Sequence, residues 1–442
     1  MTSLQSSTSN PNDQPAALPD RAARLRSLRA AVVGNALEWF DWTLYATFAA
    51  YLAANFFATQ DPTSALLSTL AVFAVGFVAR PLGGIVFGRL GDRLGRKTTL
   101  IITMITMAVA SLIIALIPSY EAIGVWASVL LLAARLMQGL AHGGESGVSY
   151  TYVAELAPPE RRGLWSSSVF VSVTIGVMGA TLVGVVLTAI FDDESMMSFG
   201  WRIGFIVGAL LGIYALFLRR SAEESPVFTE AENGTPQQRV KERLSAKQVA
   251  GIVAKVVLFS AASNAAYYTW VTFAPSFAIS GKGMDANGAF VASLLAQCVV
   301  LVLLPLFGAL SDRIGRKRTL VIYGLAVAAL VFPINLVLTD QPWTLFVSQG
   351  LGLAVWALIA SIYPALIAEQ IPTRQRAFGV GFLSSLSVAI FGGTAPYLNT
   401  WLGSIGLSWV FSAWVAFLGL LAVVAALVIR ETARVPLEDI KG

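Results

Sequence analysis

Four ionisable side chains stand inside stretches that are otherwise apolar: Glu38 and Asp41, and further along Arg135 and Glu145. A charge in such surroundings is costly, so residues of this kind are functional candidates by default. Glu38 and Asp41 are three residues apart, which places them on one face of a helix. A carboxylate in a low-dielectric setting keeps its proton unless a cation is near. An acid paired with an arginine is therefore a two-state element. Protonation frees the guanidinium, and loss of the proton restores the pair. Asp41, Glu38 and Glu145 are the candidate acids for such an element, and Arg135 is its candidate cation. The bland alternative is a static ion pair that fixes helix packing.

A second set of residues could line a cavity. Arg80 precedes Pro81, and Arg202 stands at the mouth of a later apolar run. A guanidinium fork matches a carboxylate, so both are candidates for meeting an anion. Tyr45 and the polar-aromatic stripe Asn264, Tyr267, Tyr268 and Trp270 are further candidates, although such stripes also serve in helix packing. His142, the only histidine, lies between Ala141 and Gly143; a packed neutral imidazole is expected, with a proton-relay or substrate role as the alternative. One histidine and one cysteine, Cys298, exclude a multi-histidine metal site, an internal disulfide and a cysteine cluster. No metal and no cofactor are expected. No nucleophile-elbow, HExxH or phosphate-loop signature is present, so an enzyme is not expected.

The elements that hold these residues follow from composition. Of 442 residues, 56% are hydrophobic and only 12% charged, about half the charge fraction of an ordinary soluble protein. So few charges cannot cover a water-facing surface. Most of the chain must face lipid. Apolar runs long enough to span a bilayer, about 20 residues each, fall near 30–54, 64–88, 98–118, 122–150, 163–190 and 200–219. After a polar stretch come 248–279, 287–310, 318–338, 342–368, 377–402 and 407–430. The fourth run, extended to 156, reads as one long helix or as a helix with a short surface extension.

This predicts an all-α membrane protein of twelve spans in two six-helix halves, 30–219 and 248–430. The rest is a tail at 1–29, a central loop at 220–247 and a tail at 431–442. The first of these has no short apolar core followed by a small-residue cleavage site, so no removable signal is expected. With the N-terminus in the cytoplasm, 25 of the 30 Lys and Arg residues fall on the cytoplasmic side. The opposite loops carry acids such as Asp61, Asp192, Asp193 and Asp340. Both termini are therefore expected to be cytoplasmic. The excess of five positive charges speaks to orientation rather than to nucleic acid.

An internal repeat is the strongest signal. Gly88-Arg89-Leu90-Gly91-Asp92-Arg93-Leu94-Gly95-Arg96-Lys97 follows the second run, and Gly308-Ala309-Leu310-Ser311-Asp312-Arg313-Ile314-Gly315-Arg316-Lys317 follows the eighth. Ala154-Glu155-Leu156-Ala157-Pro158 after the fourth run returns as Ala368-Glu369-Gln370-Ile371-Pro372 after the tenth. Each of these is followed by basic residues, Arg161 and Arg162 or Arg374 and Arg376. Two halves of the same hand place a substrate between them near the midplane. Asp92 and Asp312 sit just past helix ends, where a carboxylate can lie against the positive N-terminus of a neighbouring helix. Glycines at 83, 84, 88, 139, 143 and 144 let spans approach closely in lipid.

With these loops on the page, the chain resembles the major facilitator superfamily. More closely it resembles the metabolite:proton symporter branch, which includes α-ketoglutarate, citrate, shikimate and proline/betaine permeases. The closer match rests on Gly34-Asn35-Ala36-Leu37-Glu38-Trp39-Phe40-Asp41, Ala79-Arg80-Pro81-Leu82-Gly83-Gly84 and Arg135-Leu136-Met137-Gln138-Gly139. Gly143-Gly144-Glu145, Gly200-Trp201-Arg202 and Phe391-Gly392-Gly393-Thr394-Ala395-Pro396 complete it. The resemblance implies that Asp92, Arg93 and Arg96 latch the cytoplasmic side with Glu155. Asp312, Arg313, Arg316 and Glu369 would repeat that gate. It also implies a first-span acid facing a fourth-span arginine, as in proton-coupled sugar porters, which makes Asp41 and Arg135 the expected proton-coupling pair, with Glu38 or Glu145 as the next acid in line.

The reading that results is a cell-membrane secondary transporter, acting as a monomer, that imports a small polar metabolite together with protons. A carboxylate such as α-ketoglutarate is the leading substrate, with an osmolyte, a zwitterion or shikimate as alternatives. A drug:proton antiporter would usually carry proline in the fifth run, and Thr174-Ile175-Gly176-Val177-Met178-Gly179-Ala180-Thr181 has none. A transporter-like sensor would usually add a large soluble tail.

Overall fold

The computed structural model describes residues 35–58, 61–94, 96–143, 146–220, 245–372, 375–437 and 439. Within these, the side chains at 88–89, 91–97, 100, 146–148, 215–220 and 377 lie outside the description. So do the expectations placed on the tail 1–29, on Glu145, on the side chains of Asp92, Arg93 and Arg96, and on most of the loop 220–247.

Helices make up the fold, and the described residues contain no strand. In lipid every backbone N–H and C=O must be satisfied within its own segment, which a helix does. Among the described residues ten helices are long and apolar enough to cross a bilayer. The two remaining spans are a first span broken at Phe48, into 35–47 and Ala49–Phe56, and a third span whose apolar part is Ile101–Leu116. Large apolar side chains such as Leu82, Val302, Leu336 and Leu427 are exposed along the spans. Their solvent is the bilayer.

The spans that meet at the centre are interrupted. The fourth run is described as two helices, Val125–His142 and Ser146–Leu156, and Tyr150, Val153 and Ala154 of the second are buried, so it is no surface extension. The seventh runs Ala246–Ala266, widens into a π-helical turn at Tyr267–Thr272, and restarts at Ala274–Lys282. The tenth divides into Pro342–Ala360 and Tyr363–Ala368. The eleventh divides into Arg376–Ser387, Val388–Gly392 and Ala395–Ser404. Pro275, Pro364 and Pro396 each sit in the first turn of a restarted segment, where a missing N–H leaves no hydrogen bond unmade.

Within the first half, the second span, Pro62–Leu94, packs tightly on the fourth, Val125–His142. A Cβ on Gly139 would lie 2.0 Å from the Gly76 carbonyl oxygen, and one on Gly143 would lie 1.9 Å from that of Arg80. Backbone is the obstacle in both cases, so no side chain can swing away. Gly139→Ala is expected to lower the melting temperature of the purified protein, since overpacking costs about 1–3 kcal/mol. An unchanged melting curve would refute this packing role.

The halves touch along two seams. In one, the fifth span, Arg162–Ile190, lies against the eighth, Ala286–Ile314. There Asn287 Nδ2 donates to the Val185 carbonyl at 3.1 Å, and Gln297 Nε2 donates to Thr181 Oγ1 at 3.1 Å. In the other, the second span meets the eleventh, with Gly393 against Phe77 and Ala74.

Candidate functional site

A narrow cavity lies between the halves. The first half contributes Trp39, Arg80, Tyr150 and Phe170, and the second contributes Asn264, Tyr267, Tyr268, Trp356 and Tyr363. Serines 263, 384 and 385 complete the polar part of the wall. The interruptions in spans four, seven and eleven flank these residues, and Pro81 stands beside Arg80 within the second span. The Arg80 guanidinium is only 3% exposed, and its Nε and Nη2 have no hydrogen-bond partner. It lies 4.0 Å from the centre of the Trp42 ring and 4.5 Å from that of Phe77. On the far side the cavity is closed where the Ser276 hydroxyl donates to the Ala46 carbonyl across the two halves.

Asp41 is buried beside this cavity, inside the first half. Its carboxylate accepts hydrogen bonds from the Ser111 hydroxyl and, at 3.1 Å, from Gln138 Nε2. Gln138 Oε1 in turn accepts from Arg135 Nη1 at 2.7 Å. The direct Asp41–Arg135 pair expected from the sequence is thus corrected to a bridged one. The Gln138 amide stands between acid and base, its N–H toward the carboxylate and its C=O toward the guanidinium. Gln138 follows Arg135 by three residues and so shares its helical face. A neutral amide gave no sign of that part in a search for charges. Arg135 lies 4.1 Å from the centre of the same Trp42 ring that Arg80 covers. One indole therefore joins the acid's network to the cavity wall.

Glu38 lies in direct contact with His142 Nδ1 instead of sharing Asp41's surroundings. The imidazole stacks on Trp42 at 5.2 Å and meets the edge of Trp39 at 5.3 Å. His142 thus stands behind the cavity wall and does not line it. Tyr45 and Arg202 are also displaced from the cavity role expected of them. The Tyr45 hydroxyl donates to the Thr69 carbonyl, and its ring lies beneath the Arg135 guanidinium. Arg202 Nη1 donates to the carbonyls of Ala115 and Ile117, capping the end of the third span. That satisfies carbonyls left without a helical partner. Trp270 packs against Gly352. Of the cavity candidates, Arg80, Asn264, Tyr267 and Tyr268 line it.

On the face bearing the Arg-rich loops the halves are locked by charge. Asp312 accepts from the Gly163 and Leu164 N–H groups at 2.8 and 2.9 Å, capping the fifth span across the seam. Arg316 pairs with Asp312 at 3.0 Å. Glu369 takes Arg162 at 2.9 Å and lies 3.7 Å from Arg316. Glu155 pairs with Arg376 of the other half at 3.1 Å. Arg162 and Arg376, read from the sequence only as basic residues of a loop, are central to this lock. Arg313, expected in the gate, is exposed outside it.

The segment after the twelfth span straps this face. Thr432 donates its hydroxyl to Glu369, and Arg434 Nε donates to the Asp312 carbonyl at 3.1 Å. Arg162 and Arg376 donate to the carbonyls of Val435 and Leu437 at 3.0 and 3.3 Å. Glu431 accepts from the Arg316 and Lys317 N–H groups, capping the ninth span, Arg316–Val337. Gly315 makes this cap possible. Its φ is +99°, and a Cβ there would lie 2.4 Å from the Glu431 carboxylate.

Two six-helix halves around a central cavity, closed by separate contacts at each end, define a membrane transporter of small molecules. The chain belongs to the major facilitator superfamily. The family described as Sugar (and other) transporter matches residues 27–250, and Major Facilitator Superfamily matches 291–441. The alpha-ketoglutarate permease of Escherichia coli (strain K12) is 36% identical over 93% of this chain and 95% of its own length. A protein described as a proline/betaine transporter in Staphylococcus aureus (strain COL) is 37% identical over 85% of this chain and 82% of its own. Among solved structures, the xylose transporter from E. coli in a partially occluded inward open conformation superposes with a TM-score of 0.71 at 19% identity. That superposition covers 93% of this chain and 98% of the xylose transporter.

Proposed function

We propose that this carrier imports a small organic carboxylate together with protons by alternating access. The observation that supports coupling is the run of contacts from Asp41 through Gln138 and Arg135 to Trp42 and Arg80. A protonatable acid at one end of this run can bias a cavity guanidinium at the other. When Asp41 takes a proton, its pull on the Gln138 amide weakens and Arg135 is held less firmly against the acid. Arg135 then shifts on the indole that it shares with Arg80. Asp41 is the proton carrier in this scheme, and the proton gradient takes the place of any cofactor. The lock of Asp312, Glu369, Glu155 and their arginines is the inner gate, by analogy joined by Asp92, Arg93 and Arg96.

The basic loops support a reading in which that gate and both termini face the cytoplasm of a cell-membrane protein. The cavity and both of its closures are built from one chain, which supports a functional monomer. The carboxylate reading draws on the unpaired Arg80 and on the printed names of the relatives at 36% and 37% identity. The test is uptake of radiolabelled betaine, proline, shikimate and α-ketoglutarate into proteoliposomes. An acid-outside pH step of one unit should drive about tenfold accumulation for one proton per cycle, since 1.4 kcal/mol is a factor of ten. A protonophore should abolish it. Uptake of the preferred solute that ignores both the gradient and the protonophore removes the symport reading.

A further inference from the structure

The carrier reading leaves open which carboxylates fit, and the charge inventory of the cavity bears on that. Arg80 is the one charged residue among the described residues of the wall. Two of its nitrogens, Nε and Nη2, are buried without a hydrogen-bond partner, so the guanidinium has donors to offer an anion. Arg135, the other buried arginine nearby, is not part of the wall and already donates to Gln138. The rest of the surface is neutral: aromatic faces from Trp39, Tyr267 and Trp356, with Asn264 and serines between them.

Resting on the carrier reading, we propose that the cavity accepts a solute with one carboxylate, bound by Arg80, and rejects solutes with two. A first carboxylate gains charge-assisted hydrogen bonds from the guanidinium. A second would be stripped of water against aromatic rings with no cation to receive it, and burying an unpaired charge is expensive. The body of a monocarboxylate, by contrast, finds flat aromatic walls and neutral polar atoms. Where that body is a methylated ammonium, the same rings supply cation–π attraction without needing an acid in the wall.

The experiment is thermal shift on the purified full-length carrier in detergent, which reads binding without transport. Titrations use betaine, proline and shikimate against α-ketoglutarate and succinate, with wild type, Arg80→Lys and Arg80→Gln. At least one monocarboxylate should stabilise the wild type, and each dicarboxylate should bind about tenfold more weakly or worse. Arg80→Gln should weaken the best ligand by about 30-fold or more, because it truncates one side of a buried charge pair. Arg80→Lys keeps the charge without the fork and should fall between. A dicarboxylate that binds as well as the best monocarboxylate overturns the single-carboxylate inference while leaving the carrier reading in place. Arg80→Gln with wild-type affinity overturns the role of Arg80. If that variant fails to fold, the wild-type ranking still decides. Binding by none of the five solutes overturns the carboxylate reading itself.

Discussion

Asp41→Asn is expected to exchange its solute across the membrane and to accumulate none of it. The substitution keeps the size of the side chain and removes its charge and its titration. The geometry tolerates it: the Asn carbonyl can still accept from Gln138 Nε2, and its amide can donate to the Ser111 hydroxyl, which now acts as acceptor. The network thus survives in the form it takes when Asp41 is protonated. Counterflow needs only the loaded carrier to reorient, so it should stay near the wild-type rate. Accumulation needs the empty, deprotonated carrier to return, and that step is removed. The concentration ratio under an acid-outside gradient should therefore fall to about one, from about ten per pH unit. Gln138→Leu should lie between, because it cuts the bridge and keeps the acid. Measuring proton-driven uptake and counterflow in the same vesicles separates the outcomes. Full accumulation by Asp41→Asn would move the proton to Glu38 or Glu145. Loss of both activities along with protein yield would instead mark Asp41 as a fixed packing element.

The second large effect belongs to Asp312. Its two oxygens receive the first N–H groups of the fifth span, and the same carboxylate neutralises Arg316. In Asp312→Asn one acceptor becomes a donor facing a donor, and the negative charge at the helix N-terminus is lost. Arg316 is then left with Glu369 at 3.7 Å as its nearest acid. Breaking a buried pair on one side costs about 3–5 kcal/mol, which shifts a closed-to-open ratio by about two to four powers of ten. Net uptake should drop about 100-fold with the protein still inserted and folded. Wild-type uptake by Asp312→Asn would remove the latch. The repeat extends the same expectation to Asp92→Asn.

The span count, the two halves and the gate loops were readable in the sequence because lipid imposes rules that are local in the chain. A helix must be long and apolar to cross, and positive residues gather at one set of its ends. The contacts between distant spans obey no such local rule. That Glu38 meets His142 and that Arg162 meets Glu369 depends on how whole helices dock, which periodicity does not encode. Gln138 carries no charge, so nothing in its residue type marks an amide that bridges an acid and an arginine. Arg202 misled for a related reason. An arginine near a span end fits a cavity mouth and a helix cap equally well, and only the carbonyls of Ala115 and Ile117 decide between them.

The strap at 431–437 follows the twelfth span, so a ribosome makes it after all of the spans have been synthesised. It then ties Arg162, Glu369 and Arg376 together from both halves. Sealing this face therefore waits on residues made after the twelfth span. A product cut short just past residue 430 keeps all of its spans and reaches the bilayer. It lacks the stitches that hold its halves shut, so premature termination there yields an inserted protein with a weakened inner seal rather than an absent one.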